Sequence, residues 1–231
     1  MAIRYISDLH FGHKNILRYD NRPWQDTATM EREMIELWNK TVSYDDDVYI
    51  LGDVVWSNKY EEWVRILSQL NGKKFIVKGN HDKTEILNKL LHEEIFAEDL
   101  PPKNLIEGWS HQEIVQDPGA KGMRYVVLNH SPMPFFVNMH HDNTYHLYGH
   151  VHISWDAQCI KHIRKQIEDL YLHESRMYNV GCMIRGMDYA PRTLDEIIEI
   201  DRKNREIEEG TLEDYLNANI ERGHDKVRVA T

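Results

Sequence analysis

At 231 residues, with 41% hydrophobic and 29% charged side chains, the chain has the balance of one folded globular domain, which disfavours disorder except at the ends. Its formal net charge of -10 is spread along the chain, which disfavours long duplex DNA as a partner, although acidic side chains also serve cations. Two cysteines, Cys159 and Cys182, are too few for a disulfide framework and lack zinc-type spacing.

The chain opens Met1-Ala2-Ile3-Arg4-Tyr5 and reaches Asp8 before an apolar stretch develops. Neither a signal peptide nor a membrane span is predicted, so a cytoplasmic location is the expectation. Short apolar runs rich in β-branched or aromatic residues then recur at Ile3–Ile6, Val48–Leu51, Phe75–Val77, Tyr125–Leu128 and Tyr145–Tyr148, and each predicts a buried strand. Between them lie helical patterns. Met30, Met34, Leu37 and Trp38 share one face, as do Tyr60, Trp63, Leu67 and Leu70, with Gly72 placed to end the second helix. Ile86, Leu87, Leu90 and Leu91 predict a third helix, and Ile160, Ile163, Ile167 and Leu170 a fourth, both stripes read as core. Past Pro191, Thr193 with Glu196 and Thr211 with Asp214 resemble helix starts, so residues 193–223 are expected to form peripheral helices. The alternation of strand and helix argues for an α/β protein. One domain over residues 1–200, with 201–231 as a peripheral helical extension, is the expected organisation.

Each predicted strand is followed at once by side chains that bind metal. Asp8-Leu9-His10 places a carboxylate and an imidazole on one side of an extended segment. Gly52-Asp53 lets the chain turn sharply and leaves a carboxylate at the sheet's edge. Gly79-Asn80-His81-Asp82 offers an amide oxygen, an imidazole and a carboxylate in succession. Asn129-His130 and Gly149-His150-Val151-His152 complete the set. Any one of these also reads as an ordinary turn or solvated loop. Five in succession do not, because independent coincidences multiply.

The ordered series Asp-x-His, Gly-Asp, Gly-Asn-His-Asp, a single His and Gly-His-x-His resembles the calcineurin-like metallophosphoesterase superfamily over roughly the first two-thirds of the chain. Asn179-Val180-Gly181 is similar to the Asn-x-Gly segment that returns to the sheet in that family. The resemblance implies a four-layer αββα sandwich of two mixed sheets flanked by helices. It implies two divalent metal ions, with Asp8, His10 and His152 on the first, Asn80, His130 and His150 on the second, and Asp53 bridging both. Mixed nitrogen and oxygen ligation suits Mn, Fe, Zn or Co better than Ca or Mg. A hydroxide held between the ions would attack phosphorus in line with the leaving oxygen, and His81 would act as general acid.

One departure stands out: where some members carry a second Asp, three residues after the bridging one, this chain has Trp56, expected to wall the site. Asp82 is expected to brace its loop by hydrogen bonds. His13 and Arg18 are candidate substrate contacts, since a guanidinium fork matches phosphate oxygens, with salt bridges to the acidic surface as the alternative. His140, His141 and His146 read as a solvent loop or as lining for the opening. The leading expectation is a hydrolase of a small phosphomonoester or phosphodiester. A non-catalytic metal-binding module of the same fold and a nuclease of the superfamily are the competing readings.

Overall fold

The computed structural model describes the backbone of residues 1–95 and 103–221, with side chains described through residue 93 and over 104–208. In chain order the first half runs β1 (Ile3–Ile6), α1 (Ile16–Tyr19), α2 (Thr27–Thr41), β2 (Asp47–Ile50), α3 (Tyr60–Leu67), β3 (Lys73–Val77) and α4 (Thr84–Leu90). Two short strands, β4 (Glu94–Ile95) and β5 (Lys103–Asn104), form an antiparallel pair. There follow β6 (Gly108–Ser110), β7 (Gln112–Gly119), β8 (Gly122–Asn129), β9 (Thr144–Tyr148), α5 (Trp155–Tyr171), β10 (Met177–Asn179) and α6 (Leu194–Glu221).

The strands form two four-stranded sheets, ordered β1-β2-β3-β6 and β10-β9-β8-β7, and helices flank them as the αββα sandwich requires. Two mixed sheets were expected, and here the structure corrects the detail. The four strands of the first sheet are all parallel, and among the described residues an antiparallel partner enters only at the isolated Tyr5–Arg192 bridge on its edge. Each crossover between β1, β2 and β3 carries a helix, which brings the chain back to start the next strand in the same direction. The second sheet is mixed, because the short turn between β7 and β8 leaves room only for a hairpin.

Alternation along β8 shows how the layers stack. Val126 and Leu128 join the main core, while Val127 turns to a smaller cluster with Phe136, Tyr148, Val151 and Met177. Ala157 and Ile160 of α5 pack on that smaller cluster, so α5 covers the outer face of the second sheet. Met30, Met34 and Trp38 of α2 and Trp63, Ile66 and Leu67 of α3 are buried against the first sheet. Tyr5, Tyr49 and Phe75 are neighbours in register and stack across β1, β2 and β3, and Tyr5 donates its hydroxyl to Asp117 of β7 at 2.9 Å. No helix among the described residues is long and apolar enough to cross a membrane.

Three expectations change at the element level. α3 ends at Leu67, five residues before Gly72, which instead holds a left-handed φ of +83° where a Cβ would meet Val42 and Val48. Of the fourth helical stripe, Ile167 is buried but Leu170 is 76% exposed, because the last turn of α5, with Leu172, extends past the sheet it covers. The helices expected over 193–223 are one unbroken helix. Thr193 and Glu196 form its capping box, whereas Thr211 and Asp214 fall inside it, with side chains outside those described. Its first turns are not peripheral, since Leu194 and Ile197 are buried in the main core.

Candidate metal centre

Every loop that carries a proposed ligand leaves the carboxyl end of a parallel strand: β1, β2 and β3 in one sheet, β8 and β9 in the other. Ser7 joins the sheets at this end, donating its N–H to Val180 and accepting from the Cys182 N–H at its carbonyl. A crevice between strand ends that belong to different sheets is the usual place for a ligand in α/β folds. The loops also touch one another through backbone: Asp8 N–H donates to Gly52, His10 N–H to Asp53 and Gly149 N–H to His130.

That crowding explains the glycines. A Cβ on Gly149 would lie 1.8 Å from Ser7 Oγ and 2.4 Å from Asp8 Oδ2, so only glycine lets the β9 loop pass the β1 loop. It also explains strain. Asp8, His10, Asp53, His150 and His152 all hold φ between 46° and 70°, a region that side chains with a Cβ avoid. Left-handed backbone concentrated on five candidate ligands is the pattern of a functional site.

The side chains converge. Asp8, His10 and His152 bring one ligand atom each within 4.8 Å of one another, and Asp8, Asp53 and His130 do the same. His10 Nε2 faces His152 Nε2 at 3.2 Å, and Asp53 Oδ2 lies 3.6 Å from His10 Nε2 and 3.5 Å from His130 Nε2. Asp53 therefore stands between the two groups. Asn80 Oδ1 completes the far side, 2.9 Å from His130 Nε2 and 3.0 Å from His150 Nδ1. All seven residues expected to bind metal are thus gathered in one cluster. Asp8, His10, Asp53 and His130 are buried in it.

Whether this cluster suits a cation can be tested on its own hydrogen bonds. His130 Nδ1 is 2.7 Å from the Leu51 carbonyl, which fixes the proton on that nitrogen and turns the Nε2 lone pair toward Asn80 Oδ1 and Asp53. His152 Nδ1 is likewise held 2.8 Å from Asp20 Oδ1, which leaves its Nε2 lone pair facing His10 and Asp8. Acceptors face acceptors, so a positive charge belongs between them. In the metal-free cluster a proton on His130 supplies that charge. Burial opposes charge on His130, yet the hydrogen bond to Asp53 and the charge of Asp8 raise its pKa to about 9. Burial would raise the Asp53 carboxyl, but His130 and His10 pull it down to about 2. Asp8 is pushed up by burial, with His152 opposing, and His10 is pushed down to about 2 by burial against the pull of Asp53. The residues present fit divalent metal.

Around the ligands, Asp82 accepts from the N–H groups of Gly79, Asp53 and Val54 at 2.8–3.1 Å, tying the second and third loops together as expected. His81 donates its backbone N–H to Asp53 Oδ1, and its Nε2 lies 4.0 Å from Asp53 Oδ2 with the side chain 43% exposed. Trp56 walls the opening: its ring stacks on His13 at 3.8 Å and tilts against His81 at 4.4 Å. His13 is buried at this wall, and burial lowers its pKa. Arg18 is not drawn into the cluster. It is exposed on α1 with its guanidinium over Tyr19, because the buried arginine of this segment is Arg22. Arg22 donates to the carbonyls of Asp8 and Leu9 at 2.8 Å and pairs with Asp20 Oδ2 at 3.0 Å. Asp20 and Arg22 thus frame the first loop and orient His152, a role that sequence reasoning missed. His146 belongs to neither a solvent loop nor the opening, since it is fully buried in β9 between the Val127 carbonyl and the Met133 N–H.

The solved structure of a protein of unknown function from Aquifex aeolicus shares this fold, with a TM-score of 0.57, 23% identity and coverage of 86% of this chain and 98% of that one. An uncharacterised protein of Methanocaldococcus jannaschii is 44% identical over 82 residues, 35% of this chain and 47% of that protein. The gene 66 protein of Mycobacterium phage L5 is 30% identical over 96 residues, 40% of this chain and 45% of its own length. The chain thus spans less than half the length of these two curated relatives. The model of the calcineurin-like phosphoesterase family, by contrast, matches residues 1–230, and with all five ligand loops inside that match the chain belongs to the calcineurin-like phosphoesterase family.

Proposed function

We propose that the chain is a metal-dependent phosphoesterase that hydrolyses small phosphate esters, using two divalent transition ions such as Mn, Fe, Zn or Co. Asp8, His10 and His152 would hold one ion, Asn80, His130 and His150 the other, and Asp53 would bridge them. When bound, such ions acidify water and offset charge on phosphate oxygens. The observation that carries the reading is the convergence of His130 Nε2, Asn80 Oδ1 and Asp53 Oδ2, three atoms that can each give a lone pair to a cation, with His130 Nε2 2.9 Å from the amide oxygen and 3.5 Å from the carboxylate.

The protein's own groups do the rest. The Leu51 carbonyl and Asp20 hold His130 and His152 in the tautomers that point Nε2 inward. Asp82 locks two loops so that Asp53 keeps its place without reorganising. His81 is half-exposed beside the cluster and carries no hydrogen bond on its ring among the described residues. It is free to reach the oxygen of a leaving alcohol and protonate it. Trp56 and His13 close one side and limit water there.

Hydrolysis of nitrophenyl phosphate mono- and diesters after chelation and after Mn²⁺ addition tests the proposal. Activity that vanishes with chelator and returns with Mn²⁺ is expected, and hydrolysis indifferent to chelator would refute it.

A further inference from the structure

A groove of about 390 Å³ lies between α5, α6 and β10, and His152 forms part of its wall. His152 therefore faces two ways, toward His10 and Asp8 in the metal cluster and into this groove. The residue after it, Ile153, is 60% exposed and lines the same opening. Its walls are apolar over much of their area, with Ala157, Ile184 and Ile200 among them.

The charge of the walls bears on what fits. Arg164 and Arg205 both pair with Asp201, Arg205 also with Glu168, and Lys161 pairs with Glu208. Only Arg185, exposed at the rim, has no ion-pair partner among the described lining residues, which sets the groove against a cationic occupant. An apolar cavity of about 150 Å³ takes one benzene ring. A volume of about 390 Å³ therefore takes a body of about two rings.

Position then decides which part of a substrate this is. His81 packs with Trp56, which stacks on His13, and none of these three lines the groove, which meets the cluster at His152. If His81 protonates the leaving oxygen, the leaving group lies on the His81 side. The groove, on the His152 side, then belongs to the group that stays on phosphorus. Resting on the phosphoesterase reading, we infer that the groove between α5 and α6 binds the retained arm of a phosphodiester, an apolar, non-cationic body of about two rings. In the reaction, water oxygen forms the new bond to phosphorus and gives one proton to solvent. The bond to the leaving oxygen breaks, that oxygen takes the proton of His81, and the retained ester bond stays intact.

The test keeps p-nitrophenolate as leaving group and varies the retained arm from methyl to phenyl to 1-naphthyl on the Mn²⁺-loaded full chain. kcat/KM should rise by at least about 10-fold from methyl to naphthyl, mainly through KM, as an apolar pocket allows. Gln158 is exposed on α5 and lines the groove, so Gln158→Trp fills it and should bring the naphthyl-to-methyl ratio close to one. Calorimetric titration with 1-naphthyl phosphate gives a second readout, with binding tighter than phenyl phosphate in the wild type and that advantage lost in the variant. A flat wild-type series, or a ratio unchanged in a Gln158→Trp protein of native circular dichroism, overturns the inference while leaving the phosphoesterase standing. Failure to hydrolyse any member while p-nitrophenyl phosphate is still hydrolysed overturns the inference alone, and failure on that monoester as well overturns the phosphoesterase reading.

Discussion

A ligand and a proton donor fail in different ways when replaced, and this separates Asp53 from His81. Asp53→Asn removes the charge that stands between His10 and His130. Metal content and turnover should fall together, since less remains to offset repulsion between two cations. His81→Ala leaves all seven candidate ligands in place. Metal analysis should read as wild type while turnover drops by roughly 10²–10⁴-fold, the range for a general acid. The drop should be greater for an alkyl ester than for a nitrophenyl ester, which departs without protonation. Equal losses for both would move the acid role to another group. Asp20→Asn tests a residue one step further out. It disturbs the contact that orients His152, so metal affinity should weaken by about 10–100-fold, as loss of such partners commonly does. Unchanged affinity by titration would make Asp20 a partner of Arg22 only. None of this was legible at Asp20 or Arg22 in the sequence. Asp20 meets His152 across 132 residues of chain, and a lone Asp in a polar segment carries no local signal. The candidate ligands that the structure gathers were legible, because their loops each follow an apolar run whose end the fold turns into a loop.

At the level of elements, close passage of loops is as necessary as the ligands they carry. Gly149→Ala would drive a methyl into Ser7 Oγ and Asp8 Oδ2, so the two loops must part. A stability loss of roughly 1–3 kcal/mol is expected from such overpacking, with metal binding weakened beyond what stability alone explains. A variant with wild-type metal content would contradict the packing argument. The most buried of the ion pairs between α5 and α6 is Arg164–Asp201, with both contacts at 3.0 Å. Asp201→Ala leaves a buried guanidinium with no carboxylate, a loss of about 3 kcal/mol, at the low end for buried pairs because Asp201 is partly exposed. Burial would raise the Asp201 carboxyl, but Arg164 and Arg205 hold it below the usual range. Its stabilisation is thus complete above the ordinary carboxyl pKa and is lost as pH falls through the depressed folded value. Melting curves of wild type should show this fall in acid, and those of Asp201→Ala a smaller one. Sequence patterns found the strands that end at the site but missed β7. Its residues alternate weakly, exposed at Gln112, Glu113 and Ile114 and buried only at Val115 and Asp117, and Pro118 marks it as an edge strand. The stripe on α5 misled for the opposite reason: its period is helical, but the sheet beneath it ends before Leu170 does.

Across the whole molecule, the two sheets are legible in outline because parallel strands buried on both faces read as apolar runs; of their junction only the returning segment Asn179-Val180-Gly181 was legible, through the family resemblance, because Ser7, Val180 and Cys182 meet through backbone alone. Net charge of -10 bears on substrate at this scale. Small esters should be turned over at least as fast as long duplex DNA, with shallow dependence on salt, since few phosphates can be engaged at once. Preferential cleavage of duplex DNA with a steep salt slope would reverse that ranking. Everything proposed for the site depends on its holding two ions. Titration of the metal-free chain with Mn²⁺, read by calorimetry and by elemental analysis after desalting, measures this directly. Close to two ions per chain at saturation, with Asp53→Asn reduced, is the predicted result, and a wild-type chain that saturates at one ion or none would contradict the binuclear account.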